Sequence, residues 1–126
     1  MKQIGIGLVG FGSMGKTHSY VLQNLRFFYN PLTFDARVRC VCTAHAETAR
    51  AAANLVGCEV AASEDELIAR PDIDVVDICT PNIYHYETLK KAIAAGKDIY
   101  CEKPLCVTPE QADEIAVLAE RAGIRA

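Results

Sequence analysis

The chain has 126 residues, 51% of them hydrophobic and 23% charged, which is enough for one compact domain with a buried core and too short for two. Its net charge is -3 and its lysines and arginines form no stripe, which speaks against nucleic acid and anionic membrane as partners. No apolar run approaches the roughly 20 residues of a membrane span, and the opening "MKQIGIG" lacks a secretory pattern, so a cytoplasmic protein is expected.

The first strand is expected over Gln3 to Val9, where Ile4, Ile6 and Leu8 alternate with glycines. Glycines follow at 10, 12 and 15, and they open a helix over Ser13 to Phe28 with an apolar stripe through Met14, Val21, Leu22 and Leu25. The segment "YNPLTFDA" then leads to a second strand, Arg37 to Thr43; it is long for a simple connection and reads as an extra helical turn or a surface loop. An alanine-rich helix over Ala46 to Val56 ends at Gly57, a natural left-handed cap. After a short strand, Glu59 to Ala62, Ser63 and Glu66 have capping-box spacing for a short helix that stops before Pro71. Ile73 to Thr80 is the most strand-like run, and Pro81 ends it. A helix over Ile83 to Ala95 closes on Gly96, and a fifth strand spans Asp98 to Glu102. Thr108, Pro109 and Gln111 start a last helix that ends near Gly123, after which Ile124 is placed to begin another strand.

Alternating strands and helices with near-continuously apolar strands imply an α/β fold: a doubly wound parallel sheet of three layers, strand order 3-2-1-4-5, as one domain over residues 1-126. In that topology ligands bind beyond the carboxyl ends of the strands. The residues with chemistry follow strands: Gly10 to Gly15, Thr43 to His45, Thr80 to His85, and Glu102 to Pro104.

The pattern G-x-G-x-x-G occurs twice, at Gly5, Gly7, Gly10 and at Gly10, Gly12, Gly15. The earlier match would put a phosphate turn inside a strand, so the later one is assigned. Gly10 allows the tight turn, Gly12 lets the backbone approach a pyrophosphate, and Gly15 lets the helix pack close to the strand. The cofactor cradle is thus Gly10, Phe11, Gly12, Ser13, Met14 and Gly15, with the positive end of the helix dipole facing the anion. A glycine turn that merely caps a strand is the alternative. The six cysteines form no C-x-x-C pair and read as reduced thiols acting as small hydrophobes, so no metal site is expected.

The segments "GLVGFGSMGKTH", "DVVDICTPNIYHYE" and "AGKDIYCEKPL" together resemble the nucleotide-binding half of the glucose-fructose oxidoreductase, inositol dehydrogenase and MocA family. The resemblance covers essentially the whole chain. It implies an NAD(P)-binding Rossmann domain of a dehydrogenase acting on a sugar, cyclitol or related polyol. It also implies a second domain, outside these 126 residues, that supplies most of the substrate pocket and oligomer contacts, so the chain alone should bind dinucleotide weakly and turn nothing over.

By the same resemblance Lys103 would hydrogen-bond the reacting hydroxyl or carbonyl, a sound role for an ammonium beside developing alkoxide charge. Glu102 would orient that lysine or touch the nicotinamide, and Pro104 would fix the turn through a bond often cis in the family. Thr80, Pro81 and Asn82 would line the cofactor crevice. His85, in the first turn of the next helix and facing the cleft, reads equally as a catalytic group or a packing residue. His18 reads as a packing residue near the pyrophosphate, and Tyr84 and Tyr86 as candidates for the pocket border.

NAD-specific Rossmann domains carry an acidic residue at the end of strand two. Counting about 20 residues from the last glycine reaches Asp35, which precedes the strand and lies at the wrong end of the sheet. The strand ends at Thr43, Ala44 and His45, where a hydroxyl and an imidazole are offered in place of a carboxylate, which favours NADP or dual use over strict NAD. The alternative to an enzyme is a non-catalytic dinucleotide-sensing domain. A fifth strand at the sheet edge leaves a homo-oligomer open.

Overall fold

A computed structural model describes residues 1-126. Its strands are β1 (Lys2–Val9), β2 (Phe34–Cys42), β3 (Glu59–Val60), β4 (Val75–Ile78) and β5 (Asp98–Cys101). Its helices are α1 (Ser13–Phe28), α2 (Ala46–Val56), α3 (Glu64–Ala69), α4 (His85–Ala94) and α5 (Pro109–Ala122), with a 3-10 turn at Asn82–Tyr84 leading into α4. Neighbouring strands are parallel, in the order β3-β2-β1-β4-β5, the doubly wound arrangement expected from the alternation of elements.

Strand alternation divides the core into two. Val9, Cys40, Cys42, Val76, Ile78 and Ile99 face one side and pack with Leu67 and Ile68 of α3, Leu89 and Ile93 of α4 and Ile115 of α5. Leu8 and Val41 face the other side and meet Ala52 and Ala53 of α2. Asp77, between Val76 and Ile78, necessarily points to this second side.

The helix starts follow local chemistry. Ser63 Oγ accepts from the Glu66 amide at 3.1 Å, and Thr108 Oγ1 from the Gln111 amide at 3.2 Å. The reciprocal bonds go one residue further back than the capping box places them: Glu66 accepts from the Ala62 amide at 3.0 Å, and Gln111 from the Val107 amide at 3.2 Å.

Two expectations need correction. The second strand starts earlier than expected: β2 begins at Phe34, which pairs with Lys2, so the last three residues of the segment are strand and residues 29-33 form the connection. Asp35 therefore lies within β2, opposite Gln3, where it accepts from Arg37 Nε at 2.8 Å; it is still at the amino end of the sheet. Ile124 starts no strand. Instead the Ile99 amide donates to the Arg125 carbonyl at 2.8 Å, and the Arg125 amide donates to Asp98 at 2.8 Å, so the end of the chain lies along the outer edge of β5.

Candidate cofactor site

The two glycine patterns separate by what surrounds them. A Cβ on Gly5 would sit 1.8 Å from the Asp72 carbonyl oxygen and one on Gly7 2.4 Å from Leu67 Cδ2, so both glycines are consumed by packing around β1. Gly10, with φ of +91°, turns the chain at the end of β1, where its Cβ position is 2.8 Å from the Cys79 carbonyl. The Cβ position of Gly15 is 2.5 Å from the Gly10 carbonyl oxygen, which seats α1 directly on the turn. Around Gly12 nothing lies within 4 Å, so its backbone is bare to the crevice. Gly12 is also the N-cap of α1 and has no side-chain cap, leaving the amides of the first turn to an outside acceptor.

These glycines open onto a crevice of about 1420 Å³ at the carboxyl edge of the sheet. Its walls include Gly10, Phe11, Gly12, Ser13 and Met14 from the turn, Thr43 and Ala44 after β2, Thr80, Pro81 and Asn82 after β4, and Glu102, Lys103 and Pro104 after β5. Gly15 and His45 stand outside the lining: Gly15 is buried behind the turn, and His45 is the exposed N-cap of α2. Tyr84 lines the crevice, as the sequence suggested, whereas Lys16, Thr48, Ala51, Leu55 and Ser63 are lining residues that motif reading did not assign. They belong to helix faces turned toward the cleft, and helical periodicity alone does not separate that face from a core face.

Within the crevice, Thr80 Oγ1 is the one buried side-chain polar atom of the chain with no hydrogen-bond partner. A buried hydroxyl without a partner is costly, and Thr80 belongs to the crevice lining, where a ligand can supply the partner. At the end of β2, Thr43 and Thr48 lie 2.6 Å apart, oxygen to oxygen, and both approach the His45 carbonyl at 2.9 Å. Two hydroxyl protons serve three contacts there, so one hydroxyl can turn to an outside oxygen at the cost of a single bond. The Glu64 carboxylate, also in the lining, accepts from the Thr88 hydroxyl at 3.0 Å.

The Lys103-Pro104 bond is cis, as the resemblance implies. Lys103 is exposed and lines the crevice. His85 does not face the cleft. It is 1% exposed, with Nδ1 3.0 Å from the Pro104 carbonyl oxygen and 3.2 Å from that of Leu105, and Nε2 2.8 Å from that of Thr80. The ring joins the turn after β4 to the turn after β5 from beneath, because α4 starts immediately after the 3-10 turn and directs its first side chain inward. Tyr86 is likewise not in the lining; its hydroxyl donates to Glu114 at 2.7 Å, and the Lys90 ammonium lies 4.1 Å above its ring.

Glu102 is turned toward the interior as well. Its Oε1 lies 2.8 Å from His18 Nε2, and His18 Nδ1 lies 3.0 Å from both oxygens of Asp77. Burial pushes the Asp77 carboxyl up and the charge of His18 pulls it down. Sequence reading treated His18 as packing and missed the cluster. The available signal was Asp77 itself, since a carboxylate inside the apolar run "VVDIC" requires a buried partner.

The cradle, the open Gly12 backbone and the unpartnered Thr80 hydroxyl together fit a pyrophosphate-bearing ligand. Residues 4–126 match the model of the GFO/IDH/MocA oxidoreductase family, described as having an NAD-binding Rossmann fold. The chain belongs to this family.

Among curated relatives in the family, it is 40% identical over 112 residues to a levoglucosan dehydrogenase of Pseudarthrobacter phenanthrenivorans, covering 88% of this chain and 29% of that protein. It is 36% identical over 108 residues to an inositol 2-dehydrogenase of Rhizobium meliloti, covering 86% of this chain and 30% of that protein. A solved structure of levoglucosan dehydrogenase in complex with NADH and L-sorbose superposes with a TM-score of 0.93 at 35% identity, over 98% of this chain and 34% of that one. The chain thus spans about a third of the length of the relatives it matches. No helix is long and apolar enough to cross a membrane.

Proposed function

We propose that this chain is the dinucleotide-binding part of an oxidoreductase that moves a hydride between a nicotinamide cofactor and a sugar, cyclitol or related polyol. The observation that carries the reading is the crevice itself: an uncapped helix N-terminus, a bare Gly12 and an unpartnered Thr80 hydroxyl converge there with Lys103. The names of the family relatives, levoglucosan dehydrogenase and inositol 2-dehydrogenase, support the substrate class.

The first-turn amides of α1 and the Gly12 backbone would hold the diphosphate, and Thr80, Pro81 and Asn82 would line the nucleoside side. When bound, the nicotinamide supplies the hydride acceptor or donor. Lys103 is then the catalytic group of this chain: its ammonium donates to the substrate oxygen and stabilises negative charge as that oxygen loses or gains its proton. His85 is a positioning residue, because both ring nitrogens are occupied by backbone carbonyls and the ring does not reach the crevice.

For the second ribose, Thr43 and Thr48 stand where strict NAD sites carry a carboxylate, and the lack of an acidic residue at the end of β2 supports dual use of NAD and NADP, although Glu64 of α3 also belongs to the crevice lining. Six free thiols support a reducing compartment, the cytoplasm.

Titration of the chain with NADH and NADPH, followed by nicotinamide fluorescence, tests the binding half. Saturable binding of both is expected, and no binding of either would sink the reading. In catalytically complete protein, Lys103→Met should lower turnover by roughly 10²- to 10⁴-fold while dinucleotide affinity stays within about threefold. Unchanged turnover would instead favour a dinucleotide sensor.

A further inference from the structure

The side of the sheet that carries Asp77 is unevenly covered. The alanine face of α2 packs on Leu8 and Val41, and α1 packs chiefly over β2. Across β4 and β5 the same side presents Asp77, which pairs in register with Tyr100, and then Cys79 and Glu102. One side chain from α1 reaches this polar strip. His18 lies with its ring centroid 5.0 Å from that of Tyr100, its Nδ1 against Asp77 and its Nε2 against Glu102.

The proton count of that ring is set by its neighbours. A neutral imidazole has one N–H and would point a lone pair at one of the two carboxylates. The groups that face it are Asp77 and Cys79 from β4, Tyr100 from β5, and Glu102 just beyond. Cys79 Sγ, 3.4 Å from Asp77 Oδ1, is a donor to the carboxylate. Both Asp77 oxygens are 3.0 Å from the same ring nitrogen, the geometry of one N–H shared by an ionised carboxylate.

The position of the ring gives this pair of ion contacts a consequence for the crevice. Gly15, which seats α1 on the phosphate turn, is three residues ahead of His18, less than one helical turn. Glu102 immediately precedes Lys103 and lines the crevice. One ring therefore ties the helix that receives the diphosphate to the turn that carries the proposed catalytic lysine.

We infer that His18 carries protons on both ring nitrogens and is a positioning residue of the dinucleotide crevice, locking the phosphate-facing helix to the Glu102–Pro104 turn through Asp77 and Glu102. This deepens the reading of the crevice given above and rests on it.

Two measurements test it. Imidazole nitrogen-proton correlation spectra of the chain at neutral pH should show two N–H signals for His18; a single signal overturns the inference. His18→Phe combined with Asp77→Leu replaces the buried ion pair by an apolar one, which restores stability if the pair is only structural. The double variant is expected to recover the unfolding midpoint of the unaltered chain and yet bind NADH about tenfold more weakly, since the two walls are no longer held in register. Should that variant not fold, His18→Gln is read in the same way, with about tenfold weaker NADH binding expected while the fold is kept. NADH affinity within about twofold of the unaltered chain in either folded variant overturns the inference. Absence of NADH binding by the unaltered chain removes both readings, whereas NADH binding that is indifferent to the variants removes this one alone.

Discussion

Nε2 of His85 lies 2.8 Å from the carbonyl oxygen of Thr80, so the residue whose hydroxyl is left unpartnered in the crevice has its backbone held from below by a histidine. On the opposite side of the ring Nδ1 lies 3.0 Å from the Pro104 carbonyl oxygen, and the ring N–H donates to one of these two carbonyls. The turns after β4 and β5 are thereby fastened to one another behind the site.

Replacing that ring separates support from catalysis. His85→Phe keeps the volume and removes the ring N–H, leaving a part-buried carbonyl without its donor, a loss that costs about 1 to 3 kcal/mol. A loss of about 1 to 3 kcal/mol in urea unfolding is expected, with weaker dinucleotide binding. A variant of unchanged stability that lost only turnover would return His85 to the catalytic list.

The three glycines of the turn should respond differently to alanine. Gly12→Ala meets open space and should leave the unfolding midpoint nearly unchanged while lowering NADH affinity by about tenfold or more, because the added methyl stands where the phosphates approach. Gly15→Ala and Gly10→Ala place a Cβ within 3 Å of backbone atoms, and Gly10 has positive φ as well, so both should lose about 1 to 3 kcal/mol of stability. Chemical denaturation and NADH titration of the three variants give the comparison. Equal behaviour across them would contradict the assignment of roles.

Removing His18 alone should produce a pH-dependent defect. Burial raises the Asp77 carboxyl, so ionising it costs more in the fold than in the unfolded chain, and its contribution to stability falls as the pH rises through the raised value. The charge of His18 offsets part of that loss. In His18→Phe the offset is gone, and the chain should be about 3 kcal/mol less stable at neutral pH, with much of the difference recovered at acid pH where Asp77 takes up a proton. Urea midpoints at acid and neutral pH check this; a loss independent of pH would point to packing instead.

The thiols should be slow to react. Burial raises all six above the ordinary thiol value, Cys58 to about 11 and Cys101 to about 12, while neighbouring Asp77 and Glu102 add to the rise at Cys79. At neutral pH the thiolate population is therefore small. Labelling with a disulfide-exchange reagent should be markedly slower in the native chain than in denaturant, and rapid modification of Cys79 or Cys101 in the native chain would contradict the burial described.

The strand, glycine turn and helix of Gln3 to Phe28 were legible because the information is local: an apolar alternation, glycines at fixed spacing and a helical stripe. The same is true of the caps at Ser63 and Thr108 and of the parallel order, which follows from alternating elements and right-handed crossovers. The start of β2 was not legible, because its first residues become strand only by pairing with Lys2 and Gln3, and pairing is a distant event. Nor was the division of labour among the histidines. Both sit in helices at positions that are chemically interchangeable on paper. The folded sheet alone sets His85 beneath two backbone carbonyls and His18 between two carboxylates, because Thr80, Pro104, Asp77 and Glu102 come from turns and strands brought together only by the tertiary structure.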